Sequence, residues 1–195
     1  MVCWRSTKRL RLFGRFWRSN PLGRVGLVAH AENREQGYEV VWMRKLGKTV
    51  RPGCVIATTL RDQSWVYGVC CVDVDIAFSE FRSDEAILNL GEILTMPTAF
   101  RVPVTLHGLR TYDWFLLGDV TLTERFATHV AYARRPAGSK QIYLDRHPES
   151  SKVITSLQAK NIEQNAVWSL CHIEKRLERF FSGDSSARIN TVFDE

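Results

Sequence analysis

The stretch from residue 50 to 122 constrains this chain most, because it divides into short β-rich runs separated by turn residues. Arg51, Pro52 and Gly53 form a turn signal. Residues 54–60 are rich in β-formers, and residues 61–64 make a polar break of hairpin length. Residues 65–72 return as an aromatic, β-branched run whose Gly68 suggests a bulge or a close backbone approach. In residues 73–81 the first half alternates polar and apolar, which predicts a strand with one wet face. Ser83, Asp84 and Glu85 offer helix-start chemistry. Ala86, Ile87, Leu88, Leu90, Ile93 and Leu94 could supply an apolar side, although Gly91 weakens a helix, and Pro97 stops it. Residues 99–104 predict an edge strand, since Pro103 cannot donate to a ladder. Residues 112–122 predict another strand.

Such closely spaced strands with one helical insertion predict an α+β fold, mainly β. The expected form is a small, strongly bent antiparallel sheet or a partly open barrel. An accessory helix and a C-terminal amphipathic helix complete it. The latter is expected over 161–181, where Ile162, Ala166, Leu170, Ile173, Leu177 and Phe180 recur at three and four residues. Gly183 suits its end. Its stripe is expected to dock on the strands, with a dimer or partner helix as the alternative. Residues 141–144 are a further candidate strand. The expected organisation is a basic extension over 1–42, a strand-rich domain over 43–150, and a C-terminal helix and tail over 151–195.

Charge separates the extension from the rest. Residues 1–20 hold six of the 27 basic residues (Arg5, Lys8, Arg9, Arg11, Arg15 and Arg18) and none of the 21 acidic ones. They account for the whole net charge of +6, so the basic balance does not mark the fold as nucleic-acid-binding. Residues 1–42 read as an ill-ordered extension outside the fold. The alternatives are a transit-like or membrane-surface segment, or a nucleic-acid arm in which arginines meet phosphate and aromatics stack on bases. No stretch approaches the roughly 20 apolar residues that span a bilayer. With 45% hydrophobic residues the chain can build an ordinary core.

The side chains that carry chemistry form few recognisable patterns. Cys3, Cys54, Cys70, Cys71 and Cys171 are odd in number and lack zinc spacing, which predicts reduced, mostly buried thiols and a cytoplasmic setting. His30, His107, His129, His147 and His172 form no zinc motif; His107 near Asp113 and His129 near Glu124 are pairs in sequence only. No nucleophile elbow or phosphate loop is present. No metal, cofactor or catalytic residue is therefore expected.

The exception is a group of acids. Asp73, Asp75, Glu80, Asp84 and Glu85 crowd together, opposed by Arg82. On a strand Asp73 and Asp75 would share one face. This group reads first as a solvated sheet face, then as a surface that steers a basic partner, then as a metal or acid/base site. With Trp65 as an aromatic anchor, Asp73, Asp75, Glu80, Arg82, Asp84 and Glu85 form the candidate partner-binding set. Tyr67 and Trp114 are further candidate anchors, unless they fill the core.

Residues 53–122 resemble the immunity protein family numbered 26 among those of polymorphic toxin systems. The resemblance is carried by the hairpin over 53–69, with its returning aromatic and glycine, and then by Phe78, Phe81, Ile93, Leu94, Pro97, Phe100, Arg101, Val102, the run from Trp114 to Gly118, and Leu122. Thr59, Cys54 and Gln63 stand where that family usually has proline, an acid and glycine; Gln63 argues against a tight primed turn. The resemblance implies a cytoplasmic bacterial protein that binds a cognate toxin domain stoichiometrically and covers its active site. The alternatives are a small hydrolase of phosphoester type and a nucleic-acid-associated module working through the basic tail.

Overall fold

Backbone pairing explains the architecture best. The structure, a computed structural model, describes residues 17–19, 25–33, 37–45, 50–73, 75–105, 114–146 and 150–190, the first three stretches as backbone. The strands are β1 (Trp17–Ser19), β2 (Val25–Asn33), β3 (Gly37–Lys45), β4 (Cys54–Thr59), β5 (Trp65–Cys70), β6 (Asp75–Ser83), β7 (Thr98–Pro103), β8 (Trp114–Asp119), β9 (Tyr132–Arg134), β10 (Ile142–Asp145) and β11 (Lys152–Ile154). The helices are α1 (Leu90–Thr95), α2 (Glu124–Ala127), α3 (Ser156–Ala159) and α4 (Leu170–Phe181), with a final 3-10 turn at Ser185–Ala187.

The large sheet is antiparallel in the order β1-β2-β3-β8-β4-β5-β6-β7, and β11-β10-β9 form a second, small sheet. The fold is α+β and mainly β. The large sheet is open, not closed into a barrel, with β1 and β7 at its edges among the described residues. The boundary expected at 42/43 falls inside β3, whose Arg44 and Lys45 pair in register with Leu116 and Phe115 of β8. The boundary expected at 150/151 falls within the β10–β11 hairpin.

Strand alternation sends successive side chains of β4, β5 and β8 into two different apolar layers. On one face Ile56, Val66, Phe78, Val102 and Trp114 pack against Leu170, Ile173 and Leu177 of α4. On the other, Val55, Trp65, Tyr67, Val69 and Phe115 pack against Ile93 of α1 and Phe126 of α2. Burial on both faces explains why residues 65–72 are almost continuously apolar. It also corrects the expectation of a wet face on the strand after Cys71, since Asp75 to Ser79 of β6 are buried on both sides.

Gly68 sits at the register shift between β5 and β6, and a Cβ there would lie 2.8 Å from the Ile76 side chain. It marks both a bulge and a close approach. The β4–β5 turn is three residues long. Gln63 N–H donates to Leu60 O at 3.0 Å, and Gln63 takes φ +69°. This is a type I turn followed by a left-handed residue, so no primed two-residue turn is needed.

Two helices are shorter than the sequence predicts. The insertion becomes helical only from Leu90, capped by the Asn89 side chain, because Ser83 is taken into β6. The helix expected over 161–181 begins at Leu170. Residues 161–169 are diverted into backbone pairing: Trp168 bridges Val104 and Gln164 bridges Ala133. Ladder hydrogen bonds there outweigh the helical periodicity, a case of tertiary context overriding propensity. The stripe of α4 docks on the sheet, where Ile173 and Leu177 are wholly buried, worth about 1.5–3 kcal/mol each.

Candidate functional site

The titratable groups of the interior are tied to one another. Asp75 is 1% exposed and receives two hydrogen bonds from the Arg101 guanidinium, at 2.8 and 3.2 Å, and one from Tyr132 OH. Arg101 also donates to Thr128 O at 2.9 Å. Burial would lower the Arg101 pKa, but its hydrogen bonds to Asp75 raise it overall. Burial first, then the neighbouring Asp75 charge, pushes the Tyr132 hydroxyl well above its ordinary value. The cluster fastens β6, β7 and β9 together.

A second cluster closes the C-terminal region. Arg176 of α4 donates to both carboxylate oxygens of Glu163 at 2.8 Å, to Ala187 O at 2.8 Å and to Arg188 O at 3.0 Å. Its guanidinium lies 4.1 Å from the centre of the Phe100 ring. Trp114 Nε1–H donates to Glu174 at 2.8 Å and pins α4 from the sheet side.

These interior clusters frame a surface cleft of about 520 Å³ between β7, the start of β9, residues 161–163 and residues 188–189. Phe100, Ile162 and Ile189 give it apolar walls, and Arg101, Arg146, Arg188 and Glu163 supply its charges. Arg188 reaches out of the cleft to Glu80, at 2.7 Å, and lies over the Phe180 ring. Beside it on β6, Arg82 lies over Phe181, whereas Phe81, 45% exposed, takes the other side of the strand. One surface therefore runs from the end of β6, across Arg188, into the cleft.

The candidate partner-binding residues divide over this framework. Glu80 and Arg82 stand on that surface. Arg82 also donates to Asp62 at 2.7 Å. Asp84 is exposed and Glu85 half-buried in the loop that follows. Asp73 lies in the turn before β6, not on the strand, and meets His129 Nδ1 at 2.5 Å, so it does not share a strand face with Asp75. Asp75 and Trp65 face inward and offer no surface to a partner: Asp75 is held by Arg101, and Trp65 packs on Phe115 at 5.7 Å. Tyr67 and Trp114 are also core residues.

Sequence reasoning missed Arg188, Phe181 and Ile189, which lie about a hundred positions after the acids they adjoin. One usable signal existed. Arg176 sits within the apolar stripe between Ile173 and Phe180, and a charge on a buried helix face requires a buried partner.

The remaining chemistry is local. Cys54, Cys70, Cys71 and Cys171 are thiols. Burial raises the first three, Cys71 to about 12, which keeps them protonated and poorly nucleophilic. Ser169 Oγ and His172 Nδ1 lie 3.0 Å apart across the first turn of α4, a contact between N-cap and third helical residue. Among the described residues no group of three or more His, Cys, Asp or Glu is placed to hold a metal ion, and no helix is long and apolar enough to cross a membrane. His30, His107, His147, Asp113 and Cys3, and the basic run over 1–16, lie outside the described side chains.

No family model, curated protein or solved structure matches this chain.

Proposed function

We propose that this chain is a stoichiometric binding protein of the immunity type, which neutralises a toxin domain by covering it. The observation that carries this reading is the surface formed by Glu80, Arg82, Phe181, Arg188 and Ile189. It combines the half-buried Phe181 and the exposed Ile189 with two arginines, and aromatic and arginine side chains are enriched in interface hot spots. The surface is mounted on β6 and on the C-terminal segment, both held by buried ion pairs, so little conformational freedom is lost on association. The buried acids and cations serve this rigidity, and the core thiols are held in their unreactive form.

The toxin-directed part of the proposal rests on the resemblance of residues 53–122 to the immunity family. Its test is the genomic neighbour. A gene for a large secreted protein with a toxic C-terminal domain is expected beside this one, and co-expression of the present chain should rescue cells from that domain. Arg82→Glu together with Arg188→Glu should abolish the rescue. Rescue that is indifferent to both substitutions, or no rescue at all, refutes the reading.

A further inference from the structure

The cleft has the geometry of a gap left between two strands. Trp168 N–H donates to Pro103 O at 2.9 Å and Thr105 N–H to Trp168 O at 2.8 Å. Pro103 and Thr105 therefore point their backbone polar groups away from β6, along the outer edge of β7. The β6–β7 register is continuous from Phe100 to Pro103, so the period of two points the N–H and C=O of Arg101 along that same edge. On the other side, Ala133 N–H donates to Glu163 O at 2.8 Å and Asn165 N–H to Ala133 O at 2.7 Å. Residues 163–168 thus cross from β9 to β7, parallel to both. Before that crossing the two walls part, and the cleft opens beside Arg101.

Its chemistry favours one kind of strand. Arg101 and Glu163 line the cleft but are each held by a buried partner, Asp75 and Arg176, so Arg146 and Arg188 set its charge. Arg188 and Glu80 form an exposed pair, which contributes little and which an incoming carboxylate can replace. Phe100 and Ile162 leave apolar wall for alternate side chains. The volume of about 520 Å³ lies in the range of roughly 300–1,000 Å³ usual for ligand sites.

We infer that the cleft takes up an extended, acidic segment of the partner protein as an added strand on β7. The backbone of that segment pairs with the N–H and C=O of Arg101. Its carboxylates face Arg146 and Arg188, and its alternate apolar side chains lie on Phe100 and Ile162. This is strand addition to a sheet edge, with main-chain hydrogen bonds for affinity and side-chain contacts for selection. The inference rests on the partner-binding reading above and names the mode of contact.

The test is a titration of the isotope-labelled full chain with an acetylated hexapeptide of alternating Glu and Val, followed by nuclear magnetic resonance. The amides of Arg101, Tyr132 and Ile162 should shift, and exchange of the Arg101 amide should slow at least tenfold. The Lys-for-Glu peptide, and the acidic peptide N-methylated at alternate amides, should do neither. Arg188→Glu and Arg146→Glu should each weaken binding at least tenfold. No shift up to millimolar peptide, shifts placed elsewhere, or the same shifts from the Lys peptide overturn the inference. Equal shifts from succinate also overturn it, since they show a small-anion site. If the peptide binds here and no toxin is neutralised, the function fails and the strand site stands. If a toxin is neutralised and no peptide binds, the function stands and the strand site fails.

Discussion

Replacing Arg176 by methionine tests how the framework of the cleft is held. Methionine fills much of the same volume and keeps an apolar stem beside Phe100. It removes four hydrogen bonds, two of them to Glu163 at 2.8 Å, and leaves the Glu163 carboxylate, whose side chain is 11% exposed, without its cation. Breaking a buried pair from one side costs about 3–5 kcal/mol, because the stranded charge is left desolvated. For a chain of this size that corresponds to a fall in Tm of roughly 6–20 °C. The double variant Arg176→Met with Glu163→Gln removes the stranded charge and should recover at least half the loss. The assay is urea and thermal denaturation followed by circular dichroism, with the four proteins compared as a double-mutant cycle. A single variant that loses less than about 1 kcal/mol shows that the pair does not hold the framework, because one-sided loss of a buried pair exceeds that. So does a double variant no more stable than the single one.

Other outcomes follow from the same structure. Gln63→Gly should stabilise the chain by about 0.5–1 kcal/mol, since Gln63 holds φ +69° in the hairpin turn; denaturant midpoints check it. Gly53→Ala should destabilise by more than about 2 kcal/mol in the same assay, because Gly53 has φ +92° and a Cβ there would lie 2.4 Å from Val120 O. Cys70, Cys71, Tyr67 and Tyr132 all lose their protons later in the folded chain than in the unfolded one, in each case chiefly through burial. Below the ordinary thiol value of 9.0 both states are protonated and the contribution of Cys71 is complete. Above it the unfolded chain ionises first, so stability falls as pH rises from 9.0 to about 12, and Cys71→Ala should flatten that slope in denaturation curves.

Much of the fold was legible because local signals and tertiary structure agree. Pro103 marks an edge strand and β7 is an edge; Gly68 marks a bulge and a close approach, and both are found there. The pattern failed where burial is two-sided. Asp75 reads in sequence as half of a wet alternation, yet its charge is tolerated inside because Arg101 and Tyr132 reach it from 26 and 57 residues away. No local window contains that pairing. The helix over 161–169 failed for a related reason: Val104 and Ala133 recruit Trp168 and Gln164 into ladders that periodicity along one segment does not reveal. Glu80 and Arg82 were legible as surface charges. The surface they share with Arg188 exists only after the C-terminal segment folds back over β6 and β7.

Covering a toxin differs from destroying it in stoichiometry, so the decisive experiment titrates toxin activity with increasing amounts of this chain. A covering protein stops the toxin at one molecule per toxin domain and no earlier, and Arg82→Glu with Arg188→Glu abolishes the end point. Inactivation of many toxin molecules by one chain would show that it acts catalytically and not by covering.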